Sequence, residues 1–191
     1  STSLPRLIVP RRFSDSRGWF CETFNARRLL DQEGIAAGFV QDNQSYSAKR
    51  GTVRGLHFQV PPHAQGKLVR AVRGRIYDVA VDIRRGSPTF GRFVAAELTA
   101  ETGEQLWVPV GFAHGFCTLD DDVEVAYKVT DFYAPECEGG IAFDDPDIGI
   151  PWPVARDLVS LSDKDTRYPR LAAFESPFAY DGVPLAALAP A

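Results

Sequence analysis

Three histidines, His57, His63 and His114, are the side chains of this chain whose ordinary pKa lies near neutrality. His57 stands in Arg54-Gly55-Leu56-His57-Phe58-Gln59, and His114 closes Pro109-Val110-Gly111-Phe112-Ala113-His114. An imidazole there can take a proton from carbon, ligate a metal, or sit in a core with its ring nitrogens hydrogen-bonded. Lys67 opens an apolar run and shares parity with Val69 and Ala71. An ammonium on such a face is costly unless an anion meets it, the bland alternative being a strand-end lysine that snorkels to water. Tyr127 shares its side with Val125 and Val129, so its hydroxyl needs a partner or a pocket. Tyr133 has the same parity near the end of that run, where an open ring can stack on a flat ligand or merely pack a rim. Asp165, in Leu161-Ser162-Asp163-Lys164-Asp165, reads alone as a solvated charge, and Gln41-Asp42-Asn43 as a polar turn.

These residues must be positioned mostly by strands. The 16 glycines and 14 prolines cut the chain into short pieces. The runs Gly18–Asn25, Thr52–Gln59, Lys67–Arg73, Arg75–Arg84, Arg92–Thr99, Gln105–Val108, His114–Leu119 and Val123–Asp131 read as strands. Turn signals every 8–12 residues point to an all-β sandwich or barrel. The clearest alternation sets Tyr77, Val79, Val81 and Ile83 against Ile76, Asp78, Ala80 and Asp82. One short helix is expected, capped by Asn25, with Ala26, Leu29 and Leu30 inward and Gly34 at its end. Ser162 can cap a single turn through Asp165, and the stretch from Val183 onward reads as loosely packed. Strict alternation puts Arg54 and His57 on opposite faces; a bulge at Gly55, or an Arg54 reaching around the strand end, would reunite them.

At 191 residues, 45% hydrophobic and 24% charged, the chain is long enough for one ordinary domain and not disordered. A formal net charge of −4 argues against a general nucleic-acid binder, though a local basic pocket for a small anion remains compatible. No stretch approaches the roughly 20 apolar residues that span a bilayer, and Ser1–Phe13 lacks the apolar core of a signal peptide. Cys21, Cys117 and Cys137 are scattered and odd in number, which argues against a disulfide framework or structural zinc and fits a reducing cytoplasm.

The PxGxxH spacing resembles the second motif of the cupin superfamily, whose fold is a double-stranded β-helix or jelly roll. The first cupin motif carries two histidines one residue apart. Here that stretch reads His57-Phe58-Gln59, so the second ligand is missing and a metal is not expected. Beyond this, an ordered set of segments resembles the dTDP-4-dehydrorhamnose 3,5-epimerase family. They are Asp15-Ser16-Arg17-Gly18, Phe39-Val40-Gln41-Asp42-Asn43, Arg54 to Gln59, Gln65-Gly66-Lys67-Leu68-Val69-Arg70, Tyr77 to Asp82, Ser87-Pro88-Thr89-Phe90-Gly91, Gly111 to Phe116, and Gly149-Ile150-Pro151-Trp152-Pro153.

The resemblance implies a single cupin-type domain over residues 1–191, all-β with a few short helices, an N-terminal strand region and an irregular tail from about residue 155. It implies a cofactor-free isomerase of dTDP-L-rhamnose biosynthesis that inverts C3 and C5 of dTDP-4-dehydro-6-deoxy-D-glucose. His57 would be the base, Asp165 its orienting carboxylate, Lys67 the cation at the enolate oxygen and Tyr127 the acid. Arg17, Glu22, Gln41, Asp42, Asn43, Arg54, His114, Glu138 and Lys164 would contact the nucleotide or the sugar, and Tyr133 would stack on thymine. It further implies a cytoplasmic homodimer whose exchanged N-terminal strands bring Arg17 and Glu22 to the neighbour's pocket. The competing readings are a 3- or 5-mono-epimerase of a related sugar, a metal-dependent cupin, and a sugar-binding β-sandwich without catalysis.

Overall fold

Gly74 and the acidic turn at 120–122 each join two runs that alternation reads as strands, and neither turn makes a hairpin. Both carry the chain from one sheet to another. In the computed structural model, which describes residues 3–189, the elements run β1 (Arg6–Ile8), β2 (Arg12–Asp15), β3 (Gly18–Cys21), α1 (Ala26–Glu33), β4 (Gln41–Ser47), β5 (Val53–Gln59), β6 (Lys67–Arg73), β7 (Arg75–Asp82), β8 (Phe93–Thr99), β9 (Gln105–Val108), β10 (Phe112–Thr118), β11 (Val123–Val129) and β12 (Glu138–Gly140). Two five-stranded sheets form, β1-β9-β6-β11-β4 and β12-β5-β10-β7-β8, and β2-β3 stands apart as a two-stranded ribbon. From β4 to β11 successive strands change sheets at every step except β7 to β8. All strand pairs within the sheets are antiparallel. This is the jelly-roll arrangement expected of the sequence.

The core between the sheets holds Val69, Ile76, Ala80, Leu98, Leu106, Phe112, Phe116, Val123 and Val125. The second sheet is also covered on its outer face. There Leu56, Phe58, Val79, Val81 and Ile83 pack against Ile141, Ile148, Leu171 and Phe178. The alternation in β7 therefore separates two cores rather than core from solvent. Each buried Leu or Phe of the late segment contributes about 1.5–3 kcal/mol, enough to pin a stretch with little secondary structure. The late segment is thus not loose. Leu185 and Leu188 pack against the inner core, and the Leu185 amide donates to Thr89 Oγ1 at 2.9 Å. Residues 1–2 and 190–191, the ends of the expected domain and tail, lie outside the described residues.

The expected helix is present. Asn25 Oδ1 accepts from the Arg28 amide at 3.0 Å, and Gly34 ends the helix in the left-handed region at φ +67°. Leu29 is buried with Ile35 against Leu68 and Trp107, whereas Leu30 is turned to solvent. A further expectation fails: Gln41-Asp42-Asn43 is not a turn but the start of β4. Its polar sequence hid a seven-residue strand paired along β11 from Gln41↔Val129 to Ser47↔Val123. The strand stays polar because one face lines a cavity and the other meets solvent, so apolar alternation never develops.

Candidate active site

The local geometry of β5 decides which side chains can meet. Against β10, His57 pairs with His114 and Arg54 with Phe116, so three steps on β5 match two on β10. The extra residue is a β-bulge at Gly55, which holds φ +139°. A Cβ there would lie 2.6 Å from Gly115 Cα and 2.8 Å from the His114 carbonyl oxygen, so only glycine fits. The bulge turns Arg54 and His57 to the same side, and the reach-around alternative is not needed.

Both side chains open into a cavity of about 480 Å³ lined also by Ser45, Lys67, His114, Tyr127, Lys164 and Asp165. Four further strands or stretches join β5 in lining it, besides β4. β6 supplies Lys67, β10 His114, β11 Tyr127 and β4 Ser45. The last strand-free stretch supplies Lys164 and Asp165. The single turn expected to run from Ser162 through Asp165 forms later, at Asp165–Arg167, and Ser162 Oγ accepts the Asp165 amide at 3.2 Å.

That turn delivers Asp165 to His57, with Oδ1 2.6 Å from Nε2, and its Oδ2 accepts the Gly55 amide at 3.2 Å. Burial pushes the Asp165 carboxyl up, but the bond and charge of His57, the Gly55 amide and Lys164 outweigh it and hold it low. An ionised carboxylate only accepts, so the proton is on Nε2 and the Nδ1 lone pair is available. The His57 pKa lies below its usual value, chiefly through burial, with Lys67 and Lys164 adding to this and Asp165 opposing it. The imidazole is therefore neutral at pH 7 and able to accept a proton.

Lys67 does not snorkel. It is 8% exposed, sits within the apolar face of β6, and forms no ion pair among the described residues. Desolvation lowers its pKa to about 8, while Asp78 and Glu138 favour its charge. Its ammonium lies 5.9 Å from the Tyr127 ring centroid. The Tyr127 phenol is raised by burial, against a hydrogen bond from Asn43 and the charge of Arg54, and so keeps its proton at neutral pH. His114 Nε2 meets Asp78 Oδ1 at 2.6 Å in a second imidazole–carboxylate pair.

A polar rim continues from the cavity. Lys164 Nζ donates to Glu138 Oε1 at 2.6 Å, and the Tyr133 hydroxyl donates to Glu138 Oε2 at 3.3 Å. The Tyr133 amide donates to Gln41 Oε1 at 3.1 Å, and Gln41 Nε2 to Asn43 Oδ1 at 2.9 Å. The Tyr133 ring is exposed. Three expected contacts are not brought in. Asp42 points outward and pairs with Lys128 at 3.0 Å. Arg17 lies at the tip of the β2-β3 ribbon, paired with Asp15 at 2.6 Å. Glu22 pairs with Arg28 at 3.2 Å in a hollow beside α1.

Where a metal-binding cupin would place a second histidine, Gln59 spends its amide on the fold. Its Nε2 donates to the carbonyls of His63 and Phe132, and its Oε1 accepts from the Ala134 amide. Among the described residues no three His, Cys, Asp or Glu are grouped to hold a metal ion. The sequence reading missed Asp78 and Ser45 as site residues. A carboxylate at an apolar-parity position between Ile76 and Ala80 was the available signal for Asp78; Ser45 carried none.

A family model described as dTDP-4-dehydrorhamnose 3,5-epimerase matches residues 4–173. The chain belongs to this family. It is 54% identical over 176 residues to the dTDP-4-dehydrorhamnose 3,5-epimerase of Sinorhizobium fredii, covering 92% of this chain and 89% of that one. A crystal structure of dTDP-6-deoxy-D-glucose-3,5-epimerase from Legionella pneumophila, in complex with dTDP-4-keto-L-rhamnose, superposes with a TM-score of 0.88 at 44% identity, covering 93% and 94% of the two chains. The dTDP-4-dehydrorhamnose 3,5-epimerase of Bacillus anthracis, with TDP and pyrophosphate bound, gives a TM-score of 0.83 at 48% identity over 87% and 93%. Family membership agrees with the geometry: an isomerase of this class needs a base, an acid and an oxyanion-stabilising cation, and the cavity holds candidates for each.

Proposed function

We propose that the protein inverts C3 and C5 of dTDP-4-dehydro-6-deoxy-D-glucose to give dTDP-4-dehydro-L-rhamnose, using only its own side chains. One observation carries this reading: the His57 imidazole, the Tyr127 phenol and the buried Lys67 side chain open into one cavity. The 4-keto group acidifies the hydrogens on C3 and C5. His57 takes one of them through Nδ1, while Asp165 holds Nε2–H and stabilises the cation that forms, as a carboxylate does in a catalytic triad. The electron pair moves to the carbonyl oxygen. Lys67, desolvated and charged below pH 8, meets that oxygen; a fixed donor in a dry site contributes on the order of 3–4 kcal/mol to the barrier. Tyr127 returns a proton from the opposite face, and the centre inverts. Once His57 has released its proton to solvent and Tyr127 has regained one, a second round at the other carbon completes the reaction. The ketone is the electron sink, so the chemistry asks for no cofactor.

The rim supports the nucleotide. Arg54 and Lys164 suit the diphosphate, the Arg54 fork donating bidentately. The exposed Tyr133 ring offers a stacking face for thymine. Gln41, Asn43 and Glu138 supply polar contacts, and His114 faces the sugar. The β2-β3 ribbon exposes Phe13, Trp19 and Phe20, a patch that calls for a cover, and Arg17 sits at its tip. This supports a homodimer in which the ribbon carries Arg17 and Glu22 to the partner subunit's cavity. The dTDP-sugar and the free thiols of Cys21, Cys117 and Cys137 suit the cytoplasm.

Incubation with substrate in D2O tests the reaction. Deuterium at both C3 and C5 is expected, and His57→Ala should remove nearly all exchange. Label at one carbon alone would reduce the activity to mono-epimerisation, and wild-type-like exchange by His57→Ala would end the assignment.

A further inference from the structure

Tyr168 follows directly on the turn that carries Asp165, and its ring lies edge-on to His57, with centroids 5.7 Å apart and planes at 69°. The space it fills is made by a glycine. Gly140 on β12 pairs across the sheet with His57, and a Cβ at Gly140 would fall 2.5 Å from the Tyr168 ring carbons. The Tyr168 hydroxyl is buried and has no hydrogen-bond partner among the described residues, so no bond of its own holds the ring where it is. Packing holds it, between Gly140 and the imidazole.

We propose that Tyr168 is a positioning residue for His57: one turn clamps the imidazole twice, by the Asp165 carboxylate in the ring plane and by the Tyr168 ring against its side, with Gly140 providing the room. The clamp removes the tilting that a single hydrogen bond leaves free and keeps water off that side of the base. A general base is effective only within narrow limits of distance and angle to the proton it takes, so a loosened ring costs turnover rather than binding. The groups sharing the cavity with His57 are Asp165 and Lys164 from the tail, Lys67 from β6, His114 from β10, Tyr127 from β11, and Arg54 from its own strand. Of these, the charged ones act through their fields. Tyr168 acts by excluding water, in the same direction as the burial that already lowers the His57 pKa.

The inference rests on His57 being the base, so its test includes a measurement that does not need turnover. NMR titration of the His57 imidazole in the ligand-free protein is compared for wild type, Tyr168→Leu and Tyr168→Phe, with thermal unfolding to verify that each is folded. Tyr168→Leu, which keeps bulk but loses the flat ring, should raise the His57 pKa by roughly half a unit to one unit. It should also lower kcat about 10-fold with KM within about 2-fold, and move the acid limb of kcat/KM to higher pH. Tyr168→Phe should restore both the titration and the rate. A Tyr168→Leu titration that coincides with wild type overturns the clamp, as does a Tyr168→Phe that loses turnover, since the hydroxyl rather than the ring would then be at work. Failure of wild type to exchange label in D2O would instead overturn the proposed function, whatever the titrations show.

Discussion

Two imidazole–carboxylate pairs of the same length, 2.6 Å, flank one cavity, and they differ in almost everything else. In the His57–Asp165 pair the histidine side chain is 28% exposed, its carboxylate has a second bond to the Gly55 amide, and the partners lie 108 residues apart. In the His114–Asp78 pair the side chains are 7% and 0% exposed, both sit on neighbouring strands of one sheet, and Asp78 Oδ2 has no hydrogen-bond partner among the described residues. The first pair has a partly open histidine and a buried carboxylate carried by a single turn. The second is buried within one sheet, and the charge of Asp78 favours the Lys67 ammonium. The same chemical unit therefore serves proton transfer at the more open histidine, and fixes the second imidazole in the cavity wall where it is almost fully buried.

Substitutions sharpen this contrast. The largest effect is expected at His57: His57→Asn should lower kcat by about 10³–10⁴, measured by steady-state turnover, with thermal stability near wild type. Equal loss from His114→Asn would dissolve the distinction between the pairs. Next come two other groups lining the same cavity. Lys67→Met and Tyr127→Phe should each cost about 10²–10³ in kcat. In Tyr127→Phe, slow deuterium wash-in at C5 or C3 without inversion would mark a base that still works without its acid.

The carboxylates separate the pairs in opposite directions. Asp165→Asn should lower kcat by roughly 10²-fold, because it no longer fixes the tautomer, and should leave Tm within a few degrees. Asp78→Asn should be costlier for the fold, by about 2 kcal/mol, read as a fall in Tm of roughly 4–8 °C for a chain of this size. The reverse pattern would mean that Asp78 governs the reacting imidazole. The smallest effect is in the pH profile. His57 must be neutral, so kcat/KM should fall as pH drops through a value below 6.5, where the imidazole gains its proton. Lys67 must be charged, so kcat/KM should fall again as pH rises through about 8. In Lys67→Met the alkaline limb should disappear while the acid limb stays.

Alternation and turn residues made most of the strands legible. Lys67–Arg73 and Gln105–Val108 have the boundaries the pattern implies. Asn25 and Gly34 delimit α1 because capping is a local matter of one side-chain acceptor and one left-handed residue. β4 was illegible because both of its faces are polar, and the reason lies in what the strand faces, not in the strand itself. The late segment hid its order for a related cause. Leu171 and Phe178 are held by the outer face of a sheet, a contact with no local period. The residues of the site could be recognised by type through family resemblance, yet their convergence could not.

By itself the sequence determined an acidic, strand-rich chain with one capped helix, a cupin-like motif lacking its second histidine, and the residue types of an epimerase. Only the tertiary structure decided that Asp165 reaches His57, that Gly55 turns Arg54 to the same side, and that Lys67 stays dry. Local patterns set conformation over a few residues. Proton transfer depends on distances between groups up to 108 residues apart, which are set when the sheets close and the tail packs across them.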